Sequence, residues 1–203
     1  YVHNNQSRLV DHSTASAEVH HATITVPSHM KTASAPLISS WVLSSEFNAN
    51  RKPANWLYGV PSNITTMTLV HFNWPLGPNV LPSSLTSITF DKGFNQPLPR
   101  FSIPPNVTSL SLGDDFNQMM LVKGLPTKLT SLTFGNAFNQ ELRIGKLTAV
   151  TTLVLGHDFN QRLPSGSLPR SITELYLGDE FNQSLEIGSI DSSVNSVGSV
   201  WRT

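Results

Sequence analysis

The chain has 203 residues, only 13% of them charged; 13 Lys and Arg balance 13 Asp and Glu, and there is no cysteine. A neutral chain without a basic stretch lacks the electrostatic footprint of a nucleic-acid binder, and the missing thiols exclude disulfides and Cys-zinc sites. No apolar run approaches the ~18 residues of a membrane span, so neither nucleic acid nor a membrane is an expected partner.

Residues 1–35 read as a polar N-terminal arm or cap. Five of the seven histidines fall here, at His3, His12, His20, His21 and His29, without metal-ligand spacing, so no metal site is assigned. The stretch 18–26 alternates well enough for one strand that would cover the open end of a first coil. The chain begins at Tyr1, not Met, with no signal peptide in view, and reads as a processed or excised piece.

From residue 36 to 203 the chain reads as a repeat solenoid. Irregular first units occupy 36–80, where Ile38, Trp41, Leu43 precede Phe47-Asn48 and Ile64, Met67, Leu69 precede Phe72-Asn73. Regular units follow over 81–190. Phe-Asn-Gln recurs with its Phe at 94, 116, 138, 159 and 181, in steps of 22, 22, 21 and 22. Before each Phe stands one frame, as in Leu129, Leu132, Phe134 and Val150, Leu153, Leu155, whose alternation marks a strand with one buried face. Residues 191–203 form a partial terminal coil, with a strand near Val194–Val197.

A second apolar group follows each Phe by four residues, at Leu98, Met120, Leu142, Leu163 and Leu185. Leu-Pro or Ile-Pro pairs at 81–82, 103–104, 125–126 and 168–169 then argue against a helical return leg and for turns, with at most a short 3₁₀ turn. Units this short must bury their apolar faces on their neighbours. Stacking would turn Phe94, Phe116, Phe138, Phe159 and Phe181 into an aromatic spine. Asn95, Asn117, Asn139, Asn160 and Asn182 would become a hydrogen-bonding ladder to the coil corner and the next coil. Both columns are read as scaffolding, not chemistry.

These units resemble FNIP repeats, a leucine-rich-repeat variant of about 22 residues. The resemblance rests on Leu129-Thr-Ser-Leu-Thr-Phe-Gly with Phe138-Asn139-Gln140, and on Leu81-Pro82-Ser83-Ser84-Leu85-Thr86-Ser87; it covers roughly 36–200. It implies a mainly β, curved, right-handed leucine-rich-repeat-like solenoid with one parallel sheet, and a binding or structural role without an active site.

The outward strand residues form a small, hydroxyl-rich candidate binding face: Thr66, Thr68, Ser87, Thr89, Ser109, Ser111, Ser131, Thr133, Thr152, Glu174 and Tyr176. The same composition suits plain solvated strands. Trp41, Trp56 and Trp74 read either as end packing or as an aromatic contact for sugar or protein. Acidic corners such as Asp114-Asp115 and Asp179-Glu180 read as turns in preference to a Ca²⁺ column. Sequons at Asn5, Asn63 and Asn106 are candidate N-glycosylation sites; a fourth, at Asn182, belongs to the ladder.

No nucleophile, base and acid cluster in the sequence, so no catalytic residue, enzyme activity or cofactor is expected. Three uses remain for such a solenoid. The first is recognition of a protein or glycan at an extracellular, cell or virion surface, with a cytoplasmic setting as the alternative. The second is end-to-end assembly into filaments, and the third is binding of ice or a crystal surface by the Ser/Thr columns.

Overall fold

The computed structural model describes residues 22–23, 40–44, 60–120, 122–185, 188–190 and 192–199. Among the described residues nine strands lie in one sheet in chain order: β1 (Ala22–Thr23), β2 (Ser40–Ser44), β3 (Thr66–Val70), β4 (Ser87–Phe90), β5 (Ser109–Ser111), β6 (Ser131–Thr133), β7 (Thr152–Val154), β8 (Glu174–Leu177) and β9 (Ser196–Ser199). β2 to β9 pair in parallel, one strand per coil, whereas β1 pairs antiparallel with β2 at Ala22↔Leu43 and Thr23↔Val42. This is a leucine-rich-repeat-like parallel solenoid. Its strands are those expected from the Phe-Asn spacing, and the short segment expected within 18–26 is β1.

The register follows the sequence frame. Met67, Ile88, Leu110, Leu132, Leu153, Leu175 and Val197 stand in one row, buried from Met67 to Leu175 and 57% exposed at Val197. The 21-residue step leaves this row intact, since Leu132 pairs with Leu153. The missing residue is taken from the return leg between Phe138 and Val150, where Ile144 is buried and Leu147 N–H donates to Ile144 O at 2.9 Å in place of a Pro turn. A one-residue slip within a strand would have turned its apolar side chains to the opposite face.

Return legs are turns. In four coils the first apolar residue of the new coil donates its N–H to the Pro carbonyl three residues earlier: Leu85 to Pro82, Val107 to Pro104, Leu129 to Pro126 and Ile172 to Pro169, at 3.2–3.3 Å. The described legs contain one short 3₁₀ turn, Val122–Gly124.

The Phe column is stacked, and it is buried from Phe72 to Phe159. Ring centroids of Phe72, Phe94, Phe116, Phe138, Phe159 and Phe181 follow one another at 6.1, 5.9, 6.2, 6.0 and 6.0 Å, with interplanar angles from 4° to 26°. Phe90 and Phe134 lie against this spine at 4.0 and 3.8 Å. Of the second apolar group, Leu98, Met120, Leu142 and Leu163 are buried, but Leu185 is 46% exposed. Leu185 lies on the last described return leg.

The Asn column explains why Gln follows. Each Asn Oδ1 accepts two hydrogen bonds from the next coil, one from the backbone N–H of the following Asn and one from the Nε2 of its Gln. The acceptors Asn73, Asn95, Asn117, Asn139 and Asn160 do this at 2.9–3.1 Å. A second ladder stands before the strands, where the Oγ1 of Thr86, Thr108, Thr130, Thr151 and Thr173 each donates to the carbonyl of its counterpart one coil back. The side chains of each coil thus satisfy the backbone of its neighbour, which buried polar backbone requires.

Asn139→Ala is therefore expected to lower stability by about 2 kcal/mol, because Asn160 N–H and Gln161 Nε2 both lose their partner. Asn139→Asp keeps the acceptor and should recover most of that loss in urea titrations. Equal losses in the two variants would contradict the ladder's role.

Candidate functional site

The outward residues form two rows across the sheet. One runs Thr66, Ser87, Ser109, Ser131, Thr152, Glu174; the other runs Thr68, Thr89, Ser111, Thr133, Val154, Tyr176. The parallel register therefore brings every expected face residue together, at a strand repeat of about 4.8 Å. The face is partly exposed throughout, and Glu174 is exposed. Neutral hydroxyls fill it until β7–β8, where Thr152 Oγ1 donates to Glu174 Oε2 at 3.2 Å beside Val154 and Tyr176. Chemical variety thus concentrates at one end.

At the corners after β5, β6, β7 and β8 the coils pack closely. A Cβ on Gly113, Gly135, Gly156 or Gly178 would lie 1.7–2.3 Å from a backbone carbonyl oxygen of the preceding coil. This contact demands glycine without a left-handed φ. The acidic residues follow at the next two positions as turn residues, with Ala137 N–H donating to Asp114 O and Asp158 N–H to Asn136 O. Among the described residues no three His, Asp or Glu side chains converge as metal ligands.

His157 Nδ1 lies 2.7 Å from Asp158 Oδ1, and this hydrogen bond raises the imidazole pKa above its ordinary value; desolvation opposes the rise, and the charges of Asp158, Glu180 and Asp179 add to it. A raised folded pKa means the stabilisation is present below the unfolded histidine value and is lost as pH rises through the folded one. Because the side chain is 43% exposed, solvent screens the pair and the effect belongs in NMR, not in melting curves. Asp158→Asn is expected to move the His157 titration midpoint down; an unmoved midpoint would contradict the pairing.

The other candidates are less assembled. Trp74 packs half-buried against the core, Trp41 belongs to β2, and Trp56 and Asn5 lie outside the described residues. Asn63 and Asn106 are both exposed. Asn106 Nδ2 donates to Ser83 O at 3.1 Å, and its Oδ1 accepts from Lys128 Nζ at 2.9 Å. Sequence reasoning did not single out the return legs, which carry exposed Arg100, Lys123, Arg143, Lys146, Arg162 and Arg170 beside exposed Phe101 and Met119. The signal was present but hidden, because these cations cancel the acidic corners in the net charge and separate from them only when residues are sorted by coil position.

The FNIP repeat family matches residues 59–93, 94–137 and 159–197. The chain belongs to the FNIP repeat family. The matched segments include the corners at Phe72, Phe94, Phe116, Phe159 and Phe181 and leave out 138–158, whose Asn139 continues the same ladder. Among solved structures, this FNIP-repeat chain is similar to CroV588, described as a novel circular leucine-rich-repeat protein, with 32% identity and a TM-score of 0.55. The similarity covers 68% of this chain and 24% of that one, so this chain spans about a quarter of that protein's length. No curated protein matches it. Among the described residues, no helix is long and apolar enough to cross a membrane.

Proposed function

We propose that this FNIP-repeat chain is a non-enzymatic recognition scaffold whose sheet face binds a protein or glycan partner at an extracellular, cell or virion surface. The observation that carries this reading is the pair of unbroken outward rows from β3 to β8, which places hydroxyl groups at regular intervals and ends in Glu174 and Tyr176. Tyr is the residue of this face best suited to anchor a partner. Regular hydroxyls are suited to hydrogen-bonding a repeating sugar.

The test is a glycan array and a surface-protein binding screen with the wild-type chain, Tyr176→Ala and Thr89→Arg. Binding that is lost in both variants supports the reading. Binding that survives both removes the sheet face from it, and concentration-dependent polymers in light scattering would replace it with a structural role. The surface setting is supported by two exposed sequons. Expression through a eukaryotic secretory route is expected to place glycan on Asn63, where the side chain is exposed, and peptide mapping checks this.

A further inference from the structure

Two clefts lie on the return legs, away from the sheet, and they meet at Lys123. One, of about 500 Å³, is lined by Asn79, Arg100, Phe101, Ile103, Leu125 and their neighbours. The other, of about 960 Å³, is lined by Met119, Lys123, Arg143, Lys146, Gly166, Ser167 and theirs. Together they form a trough crossing successive coils, on the order of 20 Å long at about 4.8 Å per coil.

Four features distinguish this trough from ordinary surface. Phe101 is 54% exposed although its backbone sits at φ 66°, a left-handed conformation that is unfavourable for a bulky residue. It is held there by Asn79 N–H donating to Phe101 O at 2.8 Å, with the Arg100 guanidinium 4.4 Å from the ring centroid. Met119, 66% exposed, adds a second apolar side chain. Ser167 is buried yet its Oγ has no hydrogen-bond partner among the described residues, and it lines the larger cleft. The charges are one-sided: the carboxylate of Glu141 is engaged by Arg143 at 2.8 Å, whereas Arg100, Lys123 and Lys146 are exposed and face no carboxylate within salt-bridge distance among the described residues.

We propose that this trough is a second docking surface, which binds an extended acidic protein segment carrying an apolar side chain. The cations at Arg100, Lys123 and Lys146 select the carboxylates, and Phe101 and Met119 hold the apolar side chain. A span on the order of 20 Å accommodates about six extended residues. This proposal does not depend on the sheet-face reading, because the two surfaces share no residue.

The test is fluorescence anisotropy with a fluorescein-labelled peptide of five alternating Asp and Glu residues around one central Leu. Two control peptides carry Ser in place of Leu or Lys in place of every acid. Saturable binding that weakens steeply with added salt is expected for the acidic Leu peptide alone. Lys123→Glu with Lys146→Glu should weaken it at least about tenfold, and so should Phe101→Gly. Phe101→Gly relieves the left-handed strain, so this variant should melt no lower than wild type, which separates lost binding from lost folding. Thr89→Arg, on the sheet face, should leave peptide binding unchanged.

Failure of the wild type to bind, equal binding of the Lys peptide, or indifference to both trough variants would each overturn the proposal. So would binding of phosphatidylserine–phosphatidylcholine vesicles without binding of the peptide, which would assign the trough to a lipid surface.

Discussion

Phe138→Ala is expected to lower the unfolding free energy by about 3–5 kcal/mol. The ring is fully buried, lies 3.8 Å from Phe134, and sits between Phe116 and Phe159 at 6.2 and 6.0 Å. Truncation therefore weakens both coil interfaces of a structure whose stability is a sum of nearest-neighbour terms. Phe181→Ala is the comparison, since that ring is only partly buried and, among the described residues, stacks on Phe159 alone. Urea titrations followed by circular dichroism and by fluorescence should show a markedly smaller loss for Phe181→Ala. They should also show separate transitions for the two halves of the Phe138→Ala chain if the spine is what couples them. Equal losses at the two positions would show that the column is not the cooperative element.

Gly156→Ala is the second large effect. Its Cβ would lie 1.7 Å from Gly135 O and 2.4 Å from Gly135 C. These are main-chain atoms with no rotamer to yield, so the coils must separate at the corner, at a cost of about 3 kcal/mol or more, the upper end of overpacking. Gly93→Ala isolates the other cost of losing a glycine. There φ is +89° and nothing lies within 4 Å of the added Cβ, so only conformational strain remains, about 1–2 kcal/mol. Thermal melts of the two variants should rank Gly156→Ala well below Gly93→Ala. The reverse order would mean that the corner relaxes freely. In the column occupied by Gly113, Gly135, Gly156 and Gly178, the earlier coils carry Val70 and Asp91 without difficulty. The tight corner thus belongs to the coils from β5 onward, and the Leu-Gly or Phe-Gly step before each later Phe-Asn is a packing requirement written into the repeat.

How far the sequence reaches can be judged from particular residues. The Phe at 94, 116, 138, 159 and 181 predict the spine, and the frame Leu129, Leu132, Phe134 predicts β6, because a solenoid puts like positions on top of one another and chain period becomes spatial period. The two outward rows follow by the same rule, since strand side chains alternate. The role of Gln96, Gln118, Gln140, Gln161 and Gln183 was less legible. That these side chains reach back to the Asn of the preceding coil depends on a corner conformation that no periodicity reports.

By itself, then, the sequence determined the period, the inward and outward residues and the near absence of helix, which follow from spacing and from Pro, while the parallel sheet followed from the resemblance to FNIP repeats. Only the tertiary structure decided what the irregular legs present. The left-handed backbone at Phe101, the closure of Glu141 onto Arg143, and the gathering of Arg100, Lys123 and Lys146 along one trough arise from turns whose residues do not repeat. Repetition transmits position from coil to coil, and where the sequence stops repeating, only packing says which side chains meet.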